Sequence, residues 1–517
     1  MVRPRYAVSL LGVLSALGGC SVGPSFKAPK VTIAEAWRAQ SDPRVATQTA
    51  VDTRWWKEFN DPALDRLVEL AYQQNLPLQI AGLRIFEARA QLGIATGLQF
   101  PQMQAIVGTA TANGLSKNTP VGAFLPTRSY GDYQLGFDAA WEIDLWGKYR
   151  RGVEAQSAAL QSSVADYYAA LVSLTAEVAR TYVGVRTYEV LIQQARDNAE
   201  VQETALQIAQ ARFQQGATSE LDPSQAKTLL ESTRASIPQL QINLTQARNA
   251  LCTLLGQPSG AVDTLLAQPT GIPKAPLEVA VGVPAEILRR RPDVRSAELQ
   301  AAAQCARIGV AKADLYPSFS LFGTIGLETS TVRGTTHSLL STDSLFYTAG
   351  PRVNWPFFNY GRLTNAVRVQ DALFQELLTS YRDTVIRAAQ EVEDALTGFL
   401  NSQEAAVFQQ AAVEAAKRSV ELSLIMYREG ATDYQRVLDA QRALLEQENN
   451  LAQTSSSVAT NLVALYKALG GGWEPHEGQP FVPETTRQEM QSRTGWGDLL
   501  SKPRAPEQKT AAPGEHQ

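Results

Sequence analysis

The chain has 517 residues, a net charge of −4, three cysteines and three histidines. Lysines and arginines are scattered and form no basic patch, which argues against a nucleic-acid partner. The histidines form no zinc motif and no glycine-rich phosphate loop is present, so we expect neither an enzyme nor a cofactor.

The first residues have the pattern of a targeting signal. A short basic region precedes the apolar run from Ala7 to Leu17, which is too short to span a bilayer. Small residues then lead directly to Cys20, which resembles a bacterial lipobox, where cleavage exposes a cysteine that is acylated. An ordinary secretory signal with a chance cysteine is the alternative. We predict a signal peptide over 1–19 and a lipidated, extended segment over 20–60.

The rest of the chain contains one unit twice, at a spacing of 214 residues. Gly147 matches Gly361 at this spacing, and matches continue through most of each half. We infer a tandem duplication of helix, strand hairpin, long helix, tight turn and helix. The first repeat covers 61–256, a linker covers 257–283 and the second repeat covers 284–472. Other matched pairs are Gly184 with Gly398, Gly216 with Gly430 and Gly256 with Gly470.

A helix begins at Asp61–Pro62, where the two residues suit the N-cap and first position, and is expected to run to about Ala95. The stretch from Lys148 to Gly216 contains no proline and has apolar residues at steps of three and four. This pattern predicts a helix about 100 Å long, and the second repeat predicts another. Pro238 suggests a kink in the helix that follows the first rod.

Two hairpins precede the long helices, with strands at about 101–145 and about 317–357. Apolar and aromatic residues alternate there with small or polar ones, as in Tyr133, Leu135 and Phe137. The alternation fits a membrane β-strand and also a half-buried strand of a soluble sheet. Each repeat supplies two strands, and four strands are too few to close a barrel. If the strands span a membrane, copies of the chain must close it together, because open edges cannot face lipid.

Two further features concern the end of the chain and its cysteines. The tail over 473–517 has scattered prolines and charges without a period, so we expect most of it to be disordered. Cys252 and Cys305 lie in helical patterns among alanines and leucines. Two buried thiols and a disulfide both remain open at this point.

These features together resemble the TolC family of outer-membrane efflux channels, in the lipoprotein branch similar to OprM and often called NodT-like. The resemblance covers Cys20 to about Trp473. It implies an α+β membrane protein: a trimeric 12-stranded β-barrel with four strands per chain, continued by a long periplasmic α-helical barrel. The motifs that carry the resemblance are Cys20–Pro24, Trp56–Leu67, Arg290–Arg295, Tyr316–Pro317 and Tyr427–Gln441.

The resemblance also implies a function and partners. A homotrimer in the Gram-negative outer membrane, held to lipid through acylated Cys20, would extend into the periplasm. It would meet a periplasmic adaptor protein and an inner-membrane RND-type pump, and conduct drugs or other small toxic compounds passively. A type I secretion duct for proteins and a periplasmic coiled-coil scaffold are the alternatives. The sequence does not identify the cargo.

Residue roles follow from the same resemblance. Asp439 matches the aspartate ring of the periplasmic gate, and Tyr427 matches a tyrosine that ties inner to outer helices. Gln435 stands where the OprM-type gate has leucine, and Met426 stands where relatives often have arginine. The helix tips match the positions that dock the adaptor: Gly216, Ala217, Thr218 and Ser219, with Gly430, Ala431, Thr432 and Asp433.

Overall fold

The structure is a computed structural model that describes residues 21–46, 53–124, 128–282, 284–332 and 335–500. The predicted signal peptide and Cys20 lie outside the described residues, as does the tail beyond 500. The chain forms two compact units. Among the described residues, the first comprises 21–29, Phe86–Ser162 and Ala297–Tyr381, and the second comprises Lys30–Ile85, Ser163–Ser296 and 382–500.

The α-helices of the described residues follow the duplicated order. They are α1 (Pro62–Gln74), α2 (Leu76–Gly97), α3 (Pro120–Phe124), α4 (Lys148–Gln214), α5 (Leu221–Leu254), α6 (Pro284–Arg290), α7 (Pro292–Ala313), α8 (Arg362–Arg428), α9 (Tyr434–Ala468) and α10 (Glu484–Arg493). The strands are β1 (Val45–Ala46), β2 (Met103–Gly114), β3 (Ser129–Ile143), β4 (Val279–Ala280), β5 (Ser318–Val332), β6 (Thr335–Thr336) and β7 (Leu345–Asn354). No described helix is both long enough and apolar enough to cross a bilayer.

The two long helices, α4 and α8, have 67 residues each, so the predicted rods and their duplication are confirmed. In α4 the predicted apolar seam is the buried one: Leu171, Val178 and Tyr182 are fully inaccessible. Burial of such a stripe stabilises long helices more than intrinsic propensity does. α5 continues through Pro238, so this proline does not interrupt the helix.

The single helix expected from Asp61 to about Ala95 is wrong in one respect, since the chain breaks between α1 and α2. Asp61 caps α1 as predicted, accepting from the Ala63 N–H over 3.0 Å. Asn75 then adopts an extended backbone, and its Oδ1 accepts from the Leu78 N–H over 2.8 Å. Pro77 lacks the N–H that a continuing helix needs. Asn75 therefore ends one helix and caps the next.

The four long strands form one antiparallel sheet in the order β2–β3–β5–β7. This confirms the two hairpins and their number of strands. β3 and β5 pair across the two repeats, so the duplication is joined at the centre of the sheet. Among the described strands, β2 has only β3 as a partner, and β7 has only β5. Both outer edges are therefore open.

One face of this sheet is apolar across all four strands. Residues directly opposite each other share a face in an antiparallel pair, so the register defines continuous rows. One row contains the exposed side chains Ile106, Phe137, Ile325 and Tyr347. The adjacent row on the other face contains Ala105, Asp138, Thr324 and Thr348. The alternation therefore separates an apolar face from a more polar one.

The segment before α1 and the linker between the repeats form a small sheet that the sequence did not indicate. Val45 pairs in parallel with Val279. Trp37 is buried, and its Nε1 donates to the Gly282 carbonyl over 3.0 Å. Two-residue strands have too little sequence to show a period.

The prediction of a disordered tail is wrong for residues 473–500. This part contains α10 and buries Phe481 and Val482. The Phe481 ring lies edge-on to Tyr167 at 5.1 Å, and Trp473 lies 4.7 Å from Tyr168. A few aromatic anchors order the segment despite its polar composition. Cys252 and Cys305 are both buried free thiols, so the disulfide alternative does not apply in this structure.

Candidate functional site at the helix reversals

The two reversals at the ends of α4 and α8 share one backbone geometry. Gly216 and Gly430 have φ of 71° and 80°, a left-handed conformation that glycine adopts without a Cβ clash. The following N–H groups of Ala217 and Ala431 donate to Arg212 and Met426 carbonyls over 2.9 and 2.8 Å. These are Schellman ends, which satisfy the last carbonyls of each helix.

Tyr427 connects the two reversals. Its hydroxyl donates to Oδ2 of Asp222, at the start of α5, over 2.9 Å. Thr218 of the first reversal donates to the same carboxylate oxygen. Arg212 Nη1 donates to the Tyr427 carbonyl, and the guanidinium carbon lies 4.7 Å from the Tyr427 ring centroid. The end of α8 is therefore held to the ends of α4 and α5 by polar and cation–π contacts.

A small apolar cluster lies beneath these contacts. The rings of Tyr427 and Tyr434 meet edge to face at 5.3 Å, and both side chains are 1% exposed. Burial, followed by the bond to Asp222, raises the pKa of Tyr427 above its ordinary value, and burial raises the pKa of Tyr434 to about 12. The rest of the cluster is aliphatic: Ala205, Ala209, Ala226, Leu229, Val437 and Leu438.

Asp439 and Gln435, the other two residues assigned to the gate, lie on the exposed side of α9. Gln435 Nε2 donates to Asp439 Oδ1 over 2.8 Å. Asp433, at the second reversal, caps the same helix by accepting from the Arg436 N–H. Tyr427 faces the helix ends, whereas Asp439 faces solvent, so the structure does not bring these two predicted site residues together.

Sequence reasoning missed Arg212 and Asp222 as partners of Tyr427. The repeat alignment contains a signal for Arg212, because it occupies the first-repeat position that corresponds to Met426. Met426 is 48% exposed. The arginine that the second repeat lacks is thus present in the first repeat, in contact with Tyr427.

A second unpredicted feature is the burial of two glutamines, Gln202 and Gln441, whose side-chain amides find no hydrogen-bond partner among the described residues.

The Arg290–Arg295 motif has a structural role in the second unit. Arg291 is buried and its Nη1 donates to the Ala468 carbonyl at the end of α9 over 2.8 Å. Its Nη2 pairs with Asp293 and with Glu391 of α8, both at 2.7 Å. One guanidinium therefore closes a helix end and joins three elements. Within the described residues, no group of three or more His, Cys, Asp or Glu side chains is arranged to hold a metal ion.

Comparison with known proteins identifies the class. The model of the family described as "Outer membrane efflux protein" matches residues 67–257 and 283–471. The chain belongs to this family of outer membrane efflux proteins. The resemblance to TolC-family channels, the outer-membrane location and the efflux function are thereby confirmed.

Individual relatives match over nearly their whole length. The pyoverdine export outer membrane protein OpmQ of Pseudomonas putida is 31% identical over 476 residues, covering 92% of this chain and 99% of that protein. The probable outer membrane lipoprotein SilC of Salmonella typhimurium is 28% identical, covering 88% and 96%. The solved structure of the outer-membrane channel OprN is similar with a TM-score of 0.81 and 33% identity, covering 88% of this chain and 100% of that one.

Proposed function

We propose that three copies of this chain form the outer-membrane exit duct of a tripartite efflux system. The duct passively conducts drugs or other small toxic compounds delivered by an inner-membrane RND-type pump through a periplasmic adaptor. The chain itself is a passive conduit and not an enzyme, and the pump supplies the energy for transport. The full-length matches to an export protein and to a solved outer-membrane channel support this proposal.

The observation that carries the proposal is the four-stranded sheet with one apolar face and two open edges. In lipid, unpaired backbone N–H and C=O groups cost several kcal/mol each, so β2 and β7 need partners. Three copies supply 12 strands, enough for a closed barrel with a water-filled interior. The apolar rows face lipid in this arrangement, and the more polar rows face the lumen.

Roles for the reversals follow from the same proposal. The helix tips at 216–219 and 430–433 dock the adaptor. Three Asp439 carboxylates surround the narrow axis of the closed gate, with Gln435 one turn away and the Tyr427 contacts holding the inner helices to the outer ones. Negative charges at such a constriction favour the passage of cations. Acylated Cys20 adds a lipid anchor.

The first test is to purify the full chain in detergent, determine its mass, and image it by negative stain. We expect a three-fold particle that forms conducting channels in planar bilayers. In cells whose own outer-membrane duct is deleted, co-expression with a pump and adaptor should lower the accumulation of a fluorescent efflux substrate. A monodisperse monomer without conductance would contradict the duct. Secretion of a protein substrate without any change in dye accumulation would favour the secretion alternative.

A further inference from the structure

The first described residues, 21–26, cross the first compact unit as an ordered segment, here called the N-terminal strap. The Val22 N–H donates over 3.0 Å to the carbonyl of Trp146, three residues after the end of β3. Ser21 packs so closely on Gly147 that a Cβ at Gly147 would lie 2.5 Å from the Ser21 hydroxyl oxygen. The strap is thus fixed to the point where the strand passes into α4.

Arg151, one turn into α4, holds the middle of the strap. Its side chain is 8% exposed, and its guanidinium donates to the Val22 and Gly23 carbonyls, both at 3.4 Å. The same group approaches Ser25 Oγ at 3.5 Å and pairs with Glu154 at 2.7 Å. A buried guanidinium with several acceptors prefers one geometry, because it presents its donors in a fixed fork.

The second repeat contributes the other side of the strap site. Gly23, with φ of 100°, approaches Gly309 of α7 so closely that a Cβ on Gly23 would lie 2.5 Å from the Gly309 Cα. The Phe26 ring lies edge-on to Phe374 at 6.4 Å. In this upstream part of the repeats the spacing is 216 residues, as in the match of Ala95–Pro101 with Ala311–Pro317, so Gly93 corresponds to Gly309. Among the described residues, nothing lies within 4 Å of a Cβ built on Gly93. The duplicated halves therefore differ here, and only Gly309 is shaped to receive the strap.

We propose that Arg151 is a positioning residue for the lipid-modified N-terminus. By holding Val22–Ser25 between α4 and α7, it fixes the point on the protein from which the acyl anchor of Cys20 leaves, next to the end of β3. This inference rests on the proposed acylation of Cys20. It goes beyond that proposal because it states that contacts within the protein, and not the lipid alone, determine where the acyl anchor leaves the chain and in which direction.

The test uses trypsin on the full-length protein in detergent, with cleavage after the exposed Lys27 followed by mass spectrometry. In Arg151→Ala we expect cleavage at Lys27 to become about tenfold faster or more, since charged hydrogen bonds that hold the strap closed are lost. Arg180→Ala is the control, because Arg180 lies further along α4 and pairs with Glu177 one turn earlier, a loss of charge comparable to that of the Arg151–Glu154 pair. Arg151→Lys should restore part of the protection, since an ammonium can reach the same carbonyls.

A second pair of variants tests the strap site without removing a charge. Gly309→Val should also accelerate cleavage, whereas Gly93→Val at the corresponding position should not. Unchanged cleavage in both Arg151→Ala and Gly309→Val, with assembly intact, would overturn the proposal. The mass of the released peptide reports separately whether Cys20 is acylated. If the peptide carries no acyl group but is still protected from trypsin, Cys20 is not a lipid anchor. The contacts of the strap would then be real, but Arg151 would have no anchor to position.

Discussion

The hydroxyl of Tyr427 donates to the carboxylate of Asp222 over 2.9 Å and joins the end of α8 to the start of α5. The neighbouring Tyr434 has the same burial and touches the Tyr427 ring, yet its hydroxyl finds no partner among the described residues. The two tyrosines therefore form a natural matched pair in which only one hydroxyl links two helices.

Tyr427→Phe should loosen the reversals, whereas Tyr434→Phe should not. Loss of a hydrogen bond to a charged acceptor costs about 1–3 kcal/mol, while removing an unpartnered hydroxyl costs close to nothing. Hydrogen exchange at the amides of 427–438 should accelerate in Tyr427→Phe alone, and this variant should open more often in planar bilayers. Equal exchange rates in the two variants would show that the Asp222 bond does not hold the reversals.

High pH should destabilise the helix ends through Tyr434. Its pKa is about 12 in the folded protein, against about 10 in an unfolded chain. Between these values the unfolded chain binds fewer protons than the folded one, so stability falls as pH rises from about 10 to about 12. Melting temperatures over this range should fall less steeply in Tyr434→Phe. A slope identical to that of the unmodified protein would contradict this assignment.

Asp439→Asn should lower the preference of the channel for cations. Three carboxylates at one constriction attract cations electrostatically, and the amide retains the shape without the charge. We expect the cation-to-anion permeability ratio in bilayers to fall about twofold or more. Asp394→Asn is the control, since Asp394 also accepts from a glutamine one turn earlier, Gln390, at 3.2 Å. If both variants change the permeability ratio equally, Asp439 does not lie at the constriction that selects cations.

Alanine should have opposite effects at two glycines. Gly430 has a left-handed backbone that costs other residues about 1–2 kcal/mol, so Gly430→Ala should destabilise the second reversal. Gly184 lies within α4, and among the described residues no atom outside the adjoining helix backbone lies within 4 Å of an added Cβ, so Gly184→Ala should stabilise by up to about 1 kcal/mol. Thermal unfolding in detergent measures both changes. Binding of the purified adaptor should weaken in Gly430→Ala, and retained affinity would argue against docking there.

The ordered part of the tail should contribute to stability. Phe481 is 5% exposed, and Phe481→Ala should cost about 3–5 kcal/mol by leaving a cavity beside Tyr167. Phe408→Ala removes a ring that is 67% exposed in the single chain and should have a small effect. A chain ended after residue 472 should melt at a lower temperature than one ended after residue 500. Equal melting of the two shortened chains would contradict the role of the tail.

The long helices and hairpins were predictable because their signals extend over many residues. The seam through Leu171, Val178 and Tyr182 repeats at helical spacing for most of α4. The alternation in Tyr133, Leu135 and Phe137 likewise persists along a whole strand. Because the unit is duplicated, each helix or strand could be predicted from two copies of its pattern, which reduced the ambiguity between helix and strand.

The errors concern features that depend on a single residue or on distant partners. Asn75 alone divides the predicted first helix. Its capping role depends on the hydrogen bond from the Leu78 N–H, and the surrounding sequence, which favours a helix, does not reveal this bond. The order of the tail depends on Phe481 meeting Tyr167, more than 300 residues earlier in the chain. The link from Tyr427 to Asp222 is likewise a contact between different repeats. Sequence patterns report local periodicity, and such contacts leave no local trace.

The open edges of β2 and β7 have a genetic consequence. In a ring of three, each copy uses one edge to receive a neighbour and the other to be received, so a single copy with a damaged edge leaves the ring unclosed. When intact and edge-damaged chains are made in equal amounts and mix freely, only about one ring in eight contains three intact copies. A gene that encodes a proline in the middle of β2 should therefore act as a dominant-negative allele. Cells that also carry the normal gene should become more sensitive to the compounds that the duct exports.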